Sequence, residues 1–192
     1  MPPQTVHLAW NTWSVQWMSH LPELAPDHVL AGMSEEADLL AAVVRAQTED
    51  WARFLTLRAR ELLRFGGLLT AFTARTEPET GWEWLLGELW ASILDLVADH
   101  VLDAGEAERM TIPIGLRLLD DVRRPFSSGS AFECLIAEQI ELERVDDPHW
   151  AEYERTGDGN TFATRQCGGH ASLGGTHFGS GTQPRAQRAS NA

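Results

Sequence analysis

Histidine and aspartate are the residue types in this chain that could hold a metal ion or move a proton, and one such pair stands on a helix-like segment. Helical spacing over 79–103 places His100 in an apolar stripe and Asp103 one turn further on. A histidine oriented by a carboxylate is typical of a metal ligand or a general base. The same position also suits a structural histidine, because a cation is favoured at a helix C-terminus. The sequence leaves both interpretations open.

A second histidine, His20, ends a tryptophan-rich stretch, HLAWNTWSVQWMSH, at residues 7–20. His7 begins the stretch and would lie about 20 Å away on a helix at ~1.5 Å per residue, so the two cannot share one metal ion. The segment TWSVQWMSHL resembles the Trp-Ser…His-Leu segment of DinB-like metal-binding bundles and of the related mycothiol-dependent isomerases. The resemblance implies a three-histidine metal site with His20 as its first ligand. The His-x-x-x-His pair that it implies does not occur in the sequence.

A metal-dependent helical-bundle enzyme of this DinB-like type, using zinc or iron, is therefore one hypothesis. Its candidate ligands are His20, His28, His100 and Asp103. A further zinc spacing, Cys-x-x-His, occurs near the C-terminus at Cys167 and His170, with His177 beyond. A structural zinc site takes four ligands, so this triplet is interpreted as incidental to a glycine-rich segment.

Two surfaces are candidates for binding a macromolecule. One is an arc of tryptophans on a predicted helix, a pattern that more often forms core or a subunit contact than a ligand site. The other is a run of aspartates at a spacing of four, where like charges repel by a few tenths of a kcal/mol per pair. This run is either a solvated face or a docking site for a basic partner. The candidate partner-binding residues are Trp10, Trp13, Trp17, Asp95, Asp99 and Asp103.

Charge narrows the classes of partner. The chain has 192 residues, and its 15 basic and 28 acidic side chains give a formal charge of −13. This balance disfavours nucleic acid and anionic membranes, which need clustered positive charge. One side of a predicted helix is nevertheless basic, with Arg53, Arg60 and Arg64. A helical DNA-associated regulator is therefore an alternative function. Two distant cysteines favour a reducing cytoplasm, and neither a signal peptide nor a membrane span is predicted.

Helical periodicity and the lack of any long strand-like alternation predict an all-α protein. Helices are expected over about 5–20, from Ser34 to a kink or break at Gly66-Gly67, over 79–103, across TIPIGLRLLDDVRR and over 130–144. Four to six helices with short connections indicate a helical bundle over 1–155. The glycine-rich segment 156–192 is predicted to be a disordered tail.

No phosphate-binding loop, dinucleotide-binding fingerprint or nucleophile elbow occurs in the sequence. The favoured function is consequently a small acidic cytoplasmic protein without catalytic activity or cofactor. It is expected to bind a protein partner, or a second copy of itself, in a regulatory or inhibitory role. The metal-dependent enzyme and the DNA-associated regulator are the alternatives.

Overall fold

The structure is a computed structural model that describes residues 2–77, 79–127 and 132–171, without the side chains of 166–171. The chain divides into two compact units, Met1–Leu142 and Glu143–Ala192. The strands of the first unit are β1 (Val6–Thr12), β2 (Leu62–Ala71), β3 (Ala74–Arg75) and β4 (Arg117–Leu118). Its α-helices are α1 (Ala37–Glu61), α2 (Glu83–Ala98), α3 (Ala104–Glu108) and α4 (Leu119–Arg123), with 3-10 turns at Ala31–Met33 and Arg124–Phe126. The second unit contains α5 (Pro148–Thr156) and α6 (Gly159–Ala171).

The predicted all-α bundle is wrong, because the first unit is built on parallel strand pairs. β1 pairs in parallel with β2, and β3 pairs in parallel with β4. Since parallel neighbours need a crossover, α1 carries the chain from the end of β1 back to the start of β2. This βαβ unit is typical of α/β folds.

The tryptophan-rich stretch is the clearest error of the helical prediction. Trp10 lies in β1 opposite Leu69 of β2. Trp13 follows the strand with a φ of 57°, and Trp17 makes an isolated bridge to Ile114. The three rings that a helix would align therefore lie on three different backbone conformations. Their helical spacing is a coincidence, because strand pairing rather than local periodicity decides the backbone of this segment.

The Gly66-Gly67 pair marks close strand packing and not a kinked helix. A Cβ atom on Gly66 would lie 2.9 Å from the carbonyl oxygen of Val6 and 3.1 Å from that of His7. A glycine is needed where two backbones approach this closely. The helix predicted from Ser34 thus ends at Glu61, and the apolar residues after it form β2.

Both long helices of the first unit bury one side against the strands and connectors. Helix α1 contributes Leu39 and Val43 to one buried cluster and Trp51 and Leu55 to another. Helix α2 lies inside the predicted 79–103 helix and buries Leu86 and Ile93 in a third cluster. The described helices include none that is long and apolar enough to cross a membrane.

The predictions of a helix over 130–144 and of a disordered tail over 156–192 are wrong for part of these segments. Residues 132–144 are not helical, whereas Gly159–Ala171 forms α6 inside the segment predicted to be disordered. Ring contacts of Phe162 with Trp150 and Tyr153, at centroid distances of 5.7 and 5.4 Å, join α5 to α6. The rest of the predicted tail, 172–192, lies outside the described residues. The domain boundary at 155 stays a prediction.

His28 gives the first unit a predicted sensitivity to acid. Its Nδ1 accepts a hydrogen bond of 3.1 Å from the backbone N–H of Leu30, and its ring lies 6.4 Å from that of Trp90. Burial lowers the pKa of His28 below its usual value of 6.5, although Asp27 acts to raise it. The unfolded chain therefore takes up a proton on His28 more readily than the folded chain does. The contribution of neutral His28 to the free energy of unfolding is complete above pH 6.5 and is lost as the pH falls through the lowered pKa.

We therefore expect His28→Asn, whose side-chain oxygen still accepts from Leu30, to lose less Tm than the parent between pH 7 and pH 5. The measurement is thermal unfolding followed by circular dichroism across this range. His7→Asn, at an exposed strand position, is the matched control and should behave like the parent. Equal losses of Tm in His28→Asn and the parent would contradict the prediction.

Candidate functional site

The carboxyl ends of β1 and β2 meet at one edge of the sheet, where ligands of open α/β folds bind. The backbone N–H of Trp13 donates to the carbonyl of Ala71 at 2.9 Å and continues the pairing past the end of β1. With its φ of 57°, Trp13 occupies a backbone region that non-glycine residues rarely adopt. Strained residues of this kind cluster at functional sites, so this edge of the sheet is a candidate functional site.

A cavity of about 320 Å³ opens beside this edge. Its walls come from three elements: the segment after β1, the C-terminal half of α1, and β4. Its polar and aromatic lining includes Ser14, Trp17, Asp50, Arg53, Arg58 and Arg117. The volume is at the lower end of the ~300–1,000 Å³ range of small-molecule sites.

Arg117 of β4 is the buried charge of this cavity, with 2% of its surface exposed. Its Nη1 donates to the carbonyl of Val15 at 2.6 Å. Its Nε and Nη2 donate to the carbonyl of Gln47 at 3.3 and 3.0 Å. Burial lowers the pKa of Arg117, while Asp50 and Asp121 raise it. An arginine stays protonated in proteins, so a full positive charge is held at this position.

Among the described residues, Asp50 is the one carboxylate that lines the cavity, and it is already hydrogen-bonded. Ser19 donates to it twice, from its backbone N–H at 2.8 Å and from Oγ at 2.6 Å. These bonds fix the segment after β1 on α1. They also reduce the capacity of Asp50 to accept from a ligand.

The two other arginines of the cavity differ in their partners. Arg58 pairs with Glu61 at 2.7 Å and lies over the ring of Phe54 at 5.4 Å. Arg53 is exposed and makes no hydrogen bond or ion pair within the described part of the chain. The lining thus carries three guanidinium groups and one carboxylate, in a chain whose formal charge is −13. This local excess of positive charge suits an anionic ligand.

The histidines predicted as metal ligands have separate local roles. His20 is exposed, with its Nδ1 3.2 Å from Ser19 Oγ. His100 is exposed and has a φ of 57° just after α2, as a residue that ends a helix does. Asp103 caps α3 by accepting from the N–H of Glu106 at 2.7 Å. Over the residues that the structure describes, no three His, Cys, Asp or Glu side chains are grouped to hold a metal ion.

The predicted partner-binding residues are accessible. Trp10, Trp13 and Trp17 are 75%, 63% and 51% exposed, so the expectation that they form core is not met. Asp95, Asp99 and Asp103 are exposed as well. Of these six, only Trp17 lines the cavity. Their role in binding a partner stays a prediction, and the side chains of Cys167, His170 and His177 lie outside the described residues.

Of the arginines proposed to contact DNA, one belongs to the cavity. Arg53 lines it, whereas Arg60 and Arg64 are exposed outside its lining, with Arg64 over the ring of Phe65 at 4.8 Å.

Sequence reasoning missed Arg117 and Asp50. One signal was available: Arg117 interrupts the apolar run of IPIGLRLL, where a charge is buried only for a structural or functional reason. Asp50 had no comparable signal, because acidic residues are common on exposed helix faces in this chain.

Comparisons with known proteins agree with the parallel strands. The chain matches the family described as SAM dependent carboxyl methyltransferase over residues 1–186. It is 27% identical over 161 residues to indole-3-acetate O-methyltransferase 1 of Oryza sativa subsp. japonica, covering 77% of this chain and 39% of that protein. It is 26% identical over 125 residues to a probable methyltransferase of Theobroma cacao, covering 59% and 34%.

A solved structure supports the same fold. The structure titled loganic acid methyltransferase with SAH superposes with a TM-score of 0.59 at 18% identity, over 67% of this chain and 40% of that one. The chain therefore spans about two fifths of the length of the rice methyltransferase and of the loganic acid methyltransferase. At this identity the likeness establishes a Rossmann-like α/β fold and no more.

Proposed function

The chain belongs to the family of SAM-dependent carboxyl methyltransferases, and from this premise we propose that its cavity beside β1 binds the acidic methyl acceptor of such an enzyme. The observation that carries the proposal is the excess of arginine around the cavity in an acidic chain. Its position at the carboxyl ends of parallel strands supports the proposal, since ligands bind there in α/β folds.

The side chains of the cavity suit a small molecule that joins a carboxylate to an apolar body. Arg53 has no partner within the described residues and is placed to attract the carboxylate. Trp17 is half exposed at the cavity and offers a ring face for the apolar part, and Phe54 lines the same cavity. Methylation converts the carboxylate into a neutral ester. The positive cavity should therefore bind the acid more tightly than its own product.

The family is defined by S-adenosylmethionine, so the expectation of no cofactor is wrong. The cavity beside β1 nevertheless does not fit this cofactor together with an acceptor. The cavity has room for one small molecule. An added Cβ atom on Gly66 of β2 would meet backbone carbonyls, so this glycine is explained by close strand packing. The cavity beside β1 is therefore assigned the acceptor side of the reaction.

Family membership also corrects the predicted function. A non-catalytic regulatory or inhibitory binding protein conflicts with a methyltransferase family, and so do the DinB-like metal enzyme with zinc or iron and the DNA-associated regulator. The resemblance of TWSVQWMSHL to DinB-like bundles covers a segment that follows a parallel strand here and lies on no helix of a bundle. A protein partner or homo-oligomer and a cytoplasmic location remain predictions.

A matched pair of probes tests the proposed acceptor cavity. Benzoate and benzamide have the same ring and nearly the same shape, and only benzoate is charged at pH 7. We expect calorimetric titration to show that the chain binds benzoate more tightly than benzamide. Equal affinities, or no binding of benzoate, would contradict an acidic acceptor in this cavity.

Arg53→Gln should weaken the binding of benzoate by up to about fivefold, because a pair of exposed charges contributes about 0.2–1 kcal/mol. The affinity for benzamide should not change. Arg60→Gln is the matched control, since Arg60 is an exposed arginine of the same helix outside the cavity lining. A similar loss in both variants would point to a general effect of net charge.

A further inference from the structure

Arg117 holds a positive charge that its direct protein partners do not neutralise. The three hydrogen bonds of its guanidinium go to the uncharged carbonyls of Val15 and Gln47. An arginine has five N–H donors, so two donors remain beyond these bonds. Within the described part of the chain, no carboxylate oxygen lies within the 4.0 Å of an ion pair with Arg117.

The two carboxylates that interact with Arg117 at longer range are already engaged. Asp50 accepts both bonds from Ser19. Asp121 pairs with Arg124 at 2.6 Å. Buried charges in proteins are normally paired, because an unpaired one carries a desolvation cost of several kcal/mol. The direct counter-charge of Arg117 is thus missing from the described residues, and the cavity is the open space that Arg117 lines.

We propose that Arg117 is the residue that selects an acidic acceptor, by placing a buried positive charge at the wall of the cavity. The inference rests on the proposed function and assigns the selectivity to one side chain. Burial makes the charge effective, since the attraction between charges increases as the surrounding dielectric falls. Arg117 should therefore discriminate more strongly than Arg53, which is exposed to solvent.

The hydrogen bonds of Arg117 also hold the segments that form the cavity walls. The experiment must therefore separate this positioning role from the effect of the charge on the ligand. The bond to Val15 and the bonds to Gln47 join the segment after β1 to α1. Loss of positioning would weaken the binding of charged and neutral ligands alike. Loss of the charge would weaken the binding of the charged ligand alone.

The measurement is the ratio of the Kd of benzamide to the Kd of benzoate, determined by calorimetric titration at pH 7. We expect Arg117→Met, which keeps an unbranched apolar stem and removes the charge, to lower this ratio about tenfold or more. Arg117→Lys, which keeps the charge, should retain a ratio clearly above that of Arg117→Met. An unchanged ratio in folded Arg117→Met would overturn the proposal, whatever its effect on the two separate affinities.

A measurement on the unsubstituted chain covers the case in which Arg117→Met does not fold. In a chain labelled with ¹⁵N-arginine, the Nε–H signal of buried Arg117 should exchange slowly with water and is assigned by its absence in Arg117→Lys. Benzoate should shift this signal and benzamide should not. An unshifted signal at saturating benzoate would overturn the proposal.

The two proposals fail in different ways. If the unsubstituted chain binds benzoate and benzamide equally, the acceptor cavity itself is refuted. If it prefers benzoate and Arg117→Met keeps that preference, the acceptor cavity stands and the role of Arg117 is refuted.

Discussion

Replacing Trp51 with alanine is expected to lower the free energy of unfolding by about 3–5 kcal/mol, the usual cost of removing a buried tryptophan. Trp51 is 4% exposed and lies at the centre of the cluster that joins α1 to the strands. Its ring stacks on Phe54 at a centroid distance of 5.6 Å and an angle of 11°, and meets Phe72 at 5.6 Å. The substitution removes these contacts and leaves a cavity that the strands cannot close.

Trp51→Phe separates packing from hydrogen bonding. The indole N–H of Trp51 donates to the carbonyl of Val122 at 3.2 Å, and this bond connects α1 to α4. Phenylalanine keeps most of the apolar volume and leaves the Val122 carbonyl without that donor. The expected cost is about 1–3 kcal/mol. Urea denaturation followed by tryptophan fluorescence and circular dichroism measures both variants.

Trp10→Ala is the control for this series. Trp10 is 75% exposed on β1, so its loss should cost about 1 kcal/mol or less. If Trp10→Ala and Trp51→Ala lowered the free energy of unfolding equally, the burial of the two rings in the structure would not account for their contributions to stability. This result would contradict the assignment of Trp51 to the core.

How far the sequence predicts this fold depends on the range of the interactions involved. Helix α2 was predictable, because the apolar spacing that marks it also sets the side it buries, with Leu86 and Ile93 inward. β1 was not predictable, because its pairing with β2 joins residues such as Trp10 and Leu69 that are far apart in the chain. Local periodicity carries no information about such a partner.

β2 shows the same limit in a different form. Its residues continue the apolar spacing of α1, so periodicity alone extends the helix through Leu62 and Leu69. Gly66 and Gly67 correctly indicated that the helical pattern is interrupted. Its meaning, a close approach of β1 at Gly66, becomes visible only in three dimensions.

The cavity itself was not predicted from the sequence. Trp17 was named from the sequence as a residue that binds a macromolecular partner, and this role stays a prediction. The structure places Trp17 in a turn segment that lines the cavity, and not in a helical stripe. Asp50 and Arg117 are 67 positions apart and come together only because β4 packs beside α1. The histidine hypothesis failed for a related reason, since His20 and His100 are placed by separate turns and caps.

Gly115 is the position where a single added methyl group should disturb both folding and the cavity. A Cβ atom on Gly115 would lie 2.7 Å from Cδ and closer still to Cγ of Gln47, nearer than real Cβ atoms approach. Gln47 is buried on α1, so its side chain has little room to move away. We expect Gly115→Ala to lower the free energy of unfolding by about 1–3 kcal/mol, the usual cost of overpacking.

The same substitution should reach Arg117 through Gln47. The carbonyl of Gln47 accepts two of the three hydrogen bonds of Arg117, so displacement of α1 at this residue moves the guanidinium. Gly115→Ala should therefore weaken the binding of benzoate even under conditions where the variant remains folded. Urea denaturation and calorimetric titration measure the two effects separately.

Gly87→Ala and a double variant test the cause. Gly87 lies on the exposed side of α2 with no atom within 4 Å of an added Cβ, so alanine should stabilise the chain there by about 0.5–1 kcal/mol. Shortening the obstructing side chain, in Gly115→Ala with Gln47→Ala, should make the cost of the added methyl group smaller than in the parent background. Strictly additive costs in this double-mutant cycle would show that Gly115 and Gln47 do not clash, and the link from Gly115 to Arg117 would have to be abandoned.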